Sequence, residues 1–198
     1  MTRILICIPV YGSPMPECME SVINLITICK NKYDIRIKFI SDYTVDVARN
    51  KATEYFLATD ADYLFFVDSD IIVTEAVLEK LIAADKPIIS GVYNKKSLTI
   101  HETTICYIDE QKNWRVYAPN EIKDEVFKID ACGFGCVLIK RDVMRLMSDK
   151  MKKICFRFIQ TTHSISEDLY FCIECAKYGI ECWCDGSAKV AHIGKFLY

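Results

Sequence analysis

Unbroken apolar runs and one-sided apolar stripes alternate along the first half of the chain. Residues 4–10, 35–40, 63–67 and 87–93 are near-continuous apolar or aromatic runs, the pattern of strands buried on both faces of a parallel sheet. Between them, residues 16–29, 45–58 and 74–84 carry apolar positions at helical spacing. Met19, Val22, Ile23 and Ile26 share one face of the first helix, and Val45, Ala48, Ala52, Phe56 and Leu57 one face of the second. Strand and helix in strict alternation predict a parallel sheet with helices on both sides.

Past residue 93 the rhythm changes. Residues 103–108 and 114–117 read as short strands around the polar turn 109–113, a hairpin or small antiparallel addition. Residues 126–129 lead through Asp130-Ala-Cys-Gly133-Phe-Gly135, a glycine-marked bend, into another strand ending at Ile139. A short helix is expected over 142–147. Residues 148–163 are basic and lack a period, which predicts a mobile loop. An amphipathic helix follows over 165–178, with Ile165, Leu169, Cys172, Ile173 and Ala176 on its stripe and Gly179 at its end. A last strand is expected over 180–184. No repeat, low-complexity tract or interdomain linker interrupts the chain, so one α/β domain over 1–198 is expected.

Composition narrows the class. With 198 residues, 52% hydrophobic and 26% charged, the chain is long and apolar enough for one domain with a substantial core. A net charge of -2 gives no electrostatic case for nucleic acid or an anionic membrane as partner. No apolar run approaches a bilayer span, and the short N-terminal run reads as a first strand and not a signal peptide. A cytoplasmic protein is therefore expected. The 11 cysteines lie mostly in apolar segments, where they act as small buried hydrophobes. Cys172-x-x-Cys175 and Cys182-x-Cys184 have zinc-like spacing but fall within a helix and a strand instead of on knuckle turns. Reduced structural cysteines are the stronger reading.

Candidate chemistry starts with Asp68-Ser69-Asp70, at the end of the most apolar run. If the chain stays extended, the two carboxylates point the same way, and a shared proton or a cation relieves their repulsion. Ligands of open α/β sheets sit beyond the carboxyl ends of strands, where this pair lies. A turn leading into the next helix fits the same residues. There is no Gly-x-Gly-x-x-Gly and no Walker loop, so neither a dinucleotide enzyme nor a P-loop NTPase is supported. The first strand instead ends in Pro9-Val10-Tyr11-Gly12, where Tyr11 could stack on a base or merely sit in a turn. Asp42 closes the second strand, and Arg49 offers a fork for diphosphate oxygens or a solvated surface charge. Glu167-Asp168 open the late helix. Ser164-x-x-Glu167 matches a capping box, while an ionised Asp168 aimed into a cleft suits a general base; spacing does not separate these. His192 stands alone near the C-terminus, and His101 and His163 lack any partner pattern.

Taken in order, the segments Cys7-Ile-Pro-Val-Tyr-Gly12, Val47-Ala-Arg-Asn50, Leu64-Phe-Phe-Val-Asp-Ser-Asp70, Ser90-Gly-Val-Tyr93, Cys132-Gly-Phe-Gly-Cys136, Ser166-Glu-Asp-Leu-Tyr-Phe171 and Ala188-Lys-Val-Ala-His-Ile-Gly194 stop looking independent. Together they closely resemble the nucleotide-sugar glycosyltransferases of the GT-A fold, in particular the inverting family-2-like group, over roughly residues 3–195. The resemblance implies a three-layer sandwich with a mostly parallel central sheet and a small antiparallel addition. It implies a nucleotide-binding part over about 1–93 and an acceptor and catalytic part over about 94–198. It also implies metal-dependent transfer of a sugar from a nucleoside-diphosphate donor, UDP-linked by expectation, to a hydroxyl acceptor with inversion, in glycan biosynthesis. Asp70 and His192, with help from Asp68, resemble the ligands of Mn²⁺ or Mg²⁺. Pro9, Tyr11, Asp42, Arg49, Asp68 and Ser69 line up with the nucleotide-holding residues, Asp42 toward uracil and Asp68 toward the ribose. Gly133 and Gly135 match the loop beside donor sugar and acceptor. Asp168 resembles the catalytic base, with Glu167 beside it. The chain is short for the group and ends soon after His192, so it is expected to be either part of a longer multidomain enzyme or a compact form with its acceptor site in 95–125 and 148–163. Rival readings are a sugar-nucleotide nucleotidyltransferase, whose Gly-rich, Lys-containing loop Tyr11-Gly-Ser-Pro-Met-Pro16 does not match, and a non-catalytic sugar-nucleotide-binding domain.

Overall fold

The computed structural model describes residues 1–97, 102–160 and 164–194. The first half follows the expected alternation: β1 (Thr2–Val10), α1 (Pro16–Cys29), β2 (Tyr33–Ser41), α2 (Val45–Ala58), β3 (Tyr63–Val67), the two-residue β4 (Ile71–Ile72), α3 (Glu75–Ala83) and β5 (Ile88–Val92). The second half adds β6 (Ile105–Ile108), β7 (Trp114–Val116), β8 (Val126–Ile129), β9 (Ala131–Cys132), β10 (Cys136–Lys140), α4 (Arg141–Lys150), α5 (Glu167–Lys177), β11 (Cys182–Lys189) and β12 (Ala191–His192).

Seven strands form one sheet in the order β2-β1-β3-β10-β5-β11-β8. Five run parallel; β10 and the edge strand β8 run against them. Strand β10 wedges between β3 and β5, with Cys136 opposite Val67 and Val137 opposite Ser90. The small antiparallel addition is β7-β6-β9. Helices cover both faces. One core gathers α2, α4 and α5 around Phe66, Phe134, Phe156 and Phe171, of which Phe156 and Phe171 stack at 4.8 Å between ring centres. The other packs α1 and α3 onto Ile6, Phe65 and Leu138. Each fully buried phenylalanine contributes roughly 1.5–3 kcal/mol of transfer free energy. The three-layer α/β sandwich is as expected.

Local signals set several boundaries. Pro16 opens α1, where its missing N–H costs nothing. Thr74 caps α3 by accepting the Val77 N–H at 3.4 Å. Gly179, at φ +72°, ends α5, and the Ile180 N–H donates back to the Cys175 carbonyl.

Four expectations are corrected. The buried face of α1 is Cys18, Ser21, Val22, Leu25 and Cys29, and Ile23 is exposed. On α2 the buried face includes Arg49 and Thr53, because the arginine is neutralised inside the fold. Helix α5 starts at Glu167 and buries Glu167, Phe171, Cys172 and Cys175. Its capping box does not form: Ser166 occupies the cap, and Glu167 turns to a distant cation instead. Finally, residues 148–150 continue α4, and residues 154–160 are pinned instead of free. Asn50 clamps the Phe156 backbone from both sides, at 2.8 and 3.0 Å, while Cys155 and Phe156 are wholly buried. All 11 cysteines are free and buried. His101 and His163 lie outside the described residues. No helix among the described residues is long and apolar enough to cross a membrane.

Candidate active site

The carboxyl ends of β1 and β3 open into a cleft of about 450 Å³, lined among others by Pro9, Tyr11, Tyr43, Asp68, Ser69 and Asp70. Tyr11 is almost fully exposed, at 92%, so its ring is available to a ligand. Phe158, on the pinned 154–160 segment, closes part of the rim.

The chain does not stay extended through the aspartates. It turns at Ser69 and Asp70, with the Ile71 N–H donating to the Asp68 carbonyl at 3.0 Å. The two carboxylates therefore have separate partners instead of sharing one. The turn reading holds, and Asp68 and Asp70 both line the cleft from it.

Asp68 looks inward. Its Oδ1 accepts from Arg49 at 3.1 Å, and Arg49 also donates to Glu167 at the start of α5. The Arg49 and Glu167 side chains are 3% and 6% exposed. The guanidinium lies 5.5 and 5.9 Å from the ring centres of Phe134 and Phe66, and its Nε has no partner. Burial opposes the arginine's charge, but Asp68, Glu167 and Asp168 outweigh it and raise its pKa further. Burial likewise pushes the Glu167 carboxyl up, against the pull of Arg49. Arg49 thus stands behind the cleft wall and not on it. It ties the β3 turn to the N-terminus of α5.

Asp70 looks outward. Its backbone carbonyl accepts the Ile193 N–H at 2.8 Å, and the β4–β12 pairing sets His192 opposite Ile71. His192 Nδ1 lies 2.8 Å from the Asn94 carbonyl, which can only accept, so Nδ1 carries a proton. Nε2 is then left facing Asp70 Oδ1 at 3.4 Å. The ammonium of Lys96 contacts the other oxygen, Oδ2. Burial would raise the Asp70 carboxyl, but His192 and Lys96 overcome that and hold it at about 2. A carboxylate oxygen and an imidazole nitrogen fit a divalent cation such as Mn²⁺ or Mg²⁺. Among the described residues no three such groups converge on one point. A cation held here would draw its remaining ligands from outside the chain, as small divalent ions often do.

Asp168, half-buried in the first turn of α5, accepts from Ser166 Oγ and from the Leu169 N–H, both at Oδ1. Asp42 has left-handed backbone (φ +69°) and is exposed. It accepts from Ser41 Oγ at 2.9 Å, and its neighbours Tyr43 and Thr44 line the cleft in its stead. Gly133 and Gly135 pack beneath the Tyr93 hydroxyl, where a Cβ on either would come within 2.6 or 2.7 Å of it.

Three contributors were not foreseen. Tyr93 accepts the Gly135 N–H at 2.8 Å and sets its ring edge-on to His192 at 5.3 Å; burial raises its phenol well above the usual value. The motif Ser90-Gly-Val-Tyr93 was its only signal. Asn94 and Lys96 left no local signal at all, since their partners lie far along the chain.

No protein-family model matches the chain, and neither does any curated protein. Solved structures do. The STIV protein A197 aligns at TM-score 0.64 and 22% identity, covering 98% of this chain and 87% of that one. A mutant of Drosophila beta-1,4-galactosyltransferase 7, complexed with manganese, UDP-Gal and xylobiose, aligns at 0.57 and 13%, covering 98% and 72%. The inositol-1-phosphate CTP transferase of T. maritima aligns at 0.50 and 14%, covering 96% and 88%. At these identities the likeness speaks for the fold, and the chain has a GT-A-like fold.

Proposed function

We propose that this chain is a metal-dependent glycosyltransferase that moves a sugar from a nucleoside-diphosphate donor, UDP-linked, to a hydroxyl acceptor with inversion, in glycan biosynthesis. The observation that carries the reading is His192. Its Nδ1–H donates to the Asn94 carbonyl, so Nε2 is the ring nitrogen directed at Asp70 beside the cleft. Metal-bound histidines are oriented in the same way.

The residues divide the work. Tyr11 stacks on the base, and Pro9 and Ser69 shape the floor beneath the nucleoside. Asp42, just past β2 and beside the cleft-lining Tyr43 and Thr44, reads uracil from the rim, and Asp68 serves the ribose. Asp70 and His192 would hold Mn²⁺ or Mg²⁺, which when bound supplies Lewis-acid neutralisation of charge gathering on the departing diphosphate. Gly133 and Gly135 make room for the Tyr93 hydroxyl under the β9–β10 turn, which lies beside the donor sugar in this reading. Asp168 accepts the proton of the acceptor hydroxyl as that oxygen attacks the anomeric carbon opposite the leaving group. One displacement inverts the centre. Arg49 acts from behind, fixing Asp68 and the base-bearing helix in one frame.

The test is a panel of UDP-, GDP- and dTDP-sugars assayed for acceptor-dependent nucleotide release with Mn²⁺ and with EDTA. Release of UDP that EDTA abolishes is expected. Activity indifferent to chelation would remove the metal, and pyrophosphate release from a nucleoside triphosphate and a sugar phosphate would replace the reaction.

A further inference from the structure

We infer that Lys96 is a tethered cation that guards Asp70 in the free protein and passes to the donor's diphosphate when a divalent ion takes its place. The inference rests on the metal reading of Asp70 and His192 above. Both Asp70 oxygens face a nitrogen: the Lys96 ammonium on Oδ2 and His192 Nε2 on Oδ1. A divalent cation on this carboxylate would stand beside the ammonium at ion-pair distance, and like charges so close repel strongly. The two cations therefore compete for one site.

Geometry makes the exchange feasible. Lys96 is 43% exposed on a flexible stem, whereas Asp70 is 27% exposed. The segment carrying it is anchored at the two residues just before Lys96. Asn94 holds the His192 ring, and Lys95 is bound to Glu102 through side chain and backbone, at 2.8 and 2.9 Å. The ammonium can thus swing while its tether stays. The nearest new anion would be the diphosphate of a donor bound in the cleft that Asp70 lines. Lys96 then weakens metal binding in the empty protein and strengthens it once a nucleoside diphosphate is present. Metal and nucleotide become coupled ligands, each raising the other's affinity by the same factor.

Mn²⁺ binding, followed by electron paramagnetic resonance with and without UDP, tests this on the wild type, Lys96→Ala and the length-matched Lys96→Met. Without UDP both variants are expected to bind Mn²⁺ about 5-fold tighter or more, and the enhancement given by UDP is expected to shrink by a similar factor. Unchanged or weaker Mn²⁺ binding by both variants, beside measurable binding by the wild type, overturns the role of Lys96 and leaves the metal reading intact. Absence of Mn²⁺ binding in all three proteins, with or without UDP, overturns both. His192→Ala separates the cases, because it is expected to lose Mn²⁺ whatever occupies residue 96.

Discussion

Two clusters of opposite charge meet at Asp68-Ser69-Asp70, and they differ in almost every physical respect. Behind the turn, Arg49 and Glu167 are buried, at 3% and 6% exposure, with aromatic rings over the guanidinium. In front, Lys96 and Asp70 are 43% and 27% exposed, and Asp70 lines the cleft. A buried pair has given up its hydration and cannot exchange partners cheaply; an exposed one is screened and replaceable. One aspartate of the motif therefore belongs to a fixed frame and the other to an exchangeable site. Neighbours two residues apart in sequence are thus specialised by what surrounds them.

The sharpest way to break this division is at Asp168, the proposed base, which directly follows Glu167 of the fixed frame. Asp168→Asn is expected to lower transfer by roughly 10²–10⁴-fold. Donor binding, measured by calorimetry, should persist; retention of transfer would show that the base lies elsewhere. Next comes the frame itself. Arg49→Met leaves Glu167 and Asp68 without their cation, and about 3–5 kcal/mol of stability should be lost in urea unfolding. A loss as small as that of a surface pair would mean the node is wetter than its burial implies.

The sequence read well where structure is local and poorly where it depends on a distant partner. Apolar runs and stripes made β1 through β5 and their helices legible, because burial on both faces leaves its mark on consecutive residues. Nothing local announced that β10 would enter between β3 and β5, since strand neighbours are chosen by tertiary packing. Arg49 read as a surface or diphosphate-facing charge. Its burial is decided by Glu167, 118 residues away. The Ser164-x-x-Glu167 pattern failed for the same reason: the distant guanidinium outcompeted the local backbone donors. His192 reaches Asp70 through a two-residue strand pairing too short to leave a period. The motif order did gather Asp68, Asp70, Asp168 and His192 into one expected site. Of these, Asp70 and His192 are now joined directly and Asp68 reaches α5 through Arg49.

Between the two clusters stands Gly135, whose missing side chain lets Tyr93 and Asp68 approach together. A Cβ there would meet the Tyr93 hydroxyl at 2.7 Å and Asp68 Oδ2 at 3.1 Å. Gly135→Ala should therefore cost about 1–3 kcal/mol by overpacking. Because Tyr93 also touches His192, Mn²⁺ affinity should fall as well. An alanine that left both quantities unchanged would show that the two clusters are not linked through this hydroxyl.

Salt gives the smallest effect and the finest discrimination. Lys96→Met removes a half-exposed pair, so its cost in urea unfolding without metal should stay below about 1 kcal/mol and fade as NaCl rises. The coupling of Arg49 to Glu167, taken from a double-mutant cycle with Arg49→Met and Glu167→Gln, should barely move over the same range. Screening needs mobile ions near the charges, and none can enter a pair enclosed by Phe66, Phe134 and the start of α5. If the two respond to salt alike, burial is not what separates the frame from the site, and the exchange proposed for Lys96 would have no special ground.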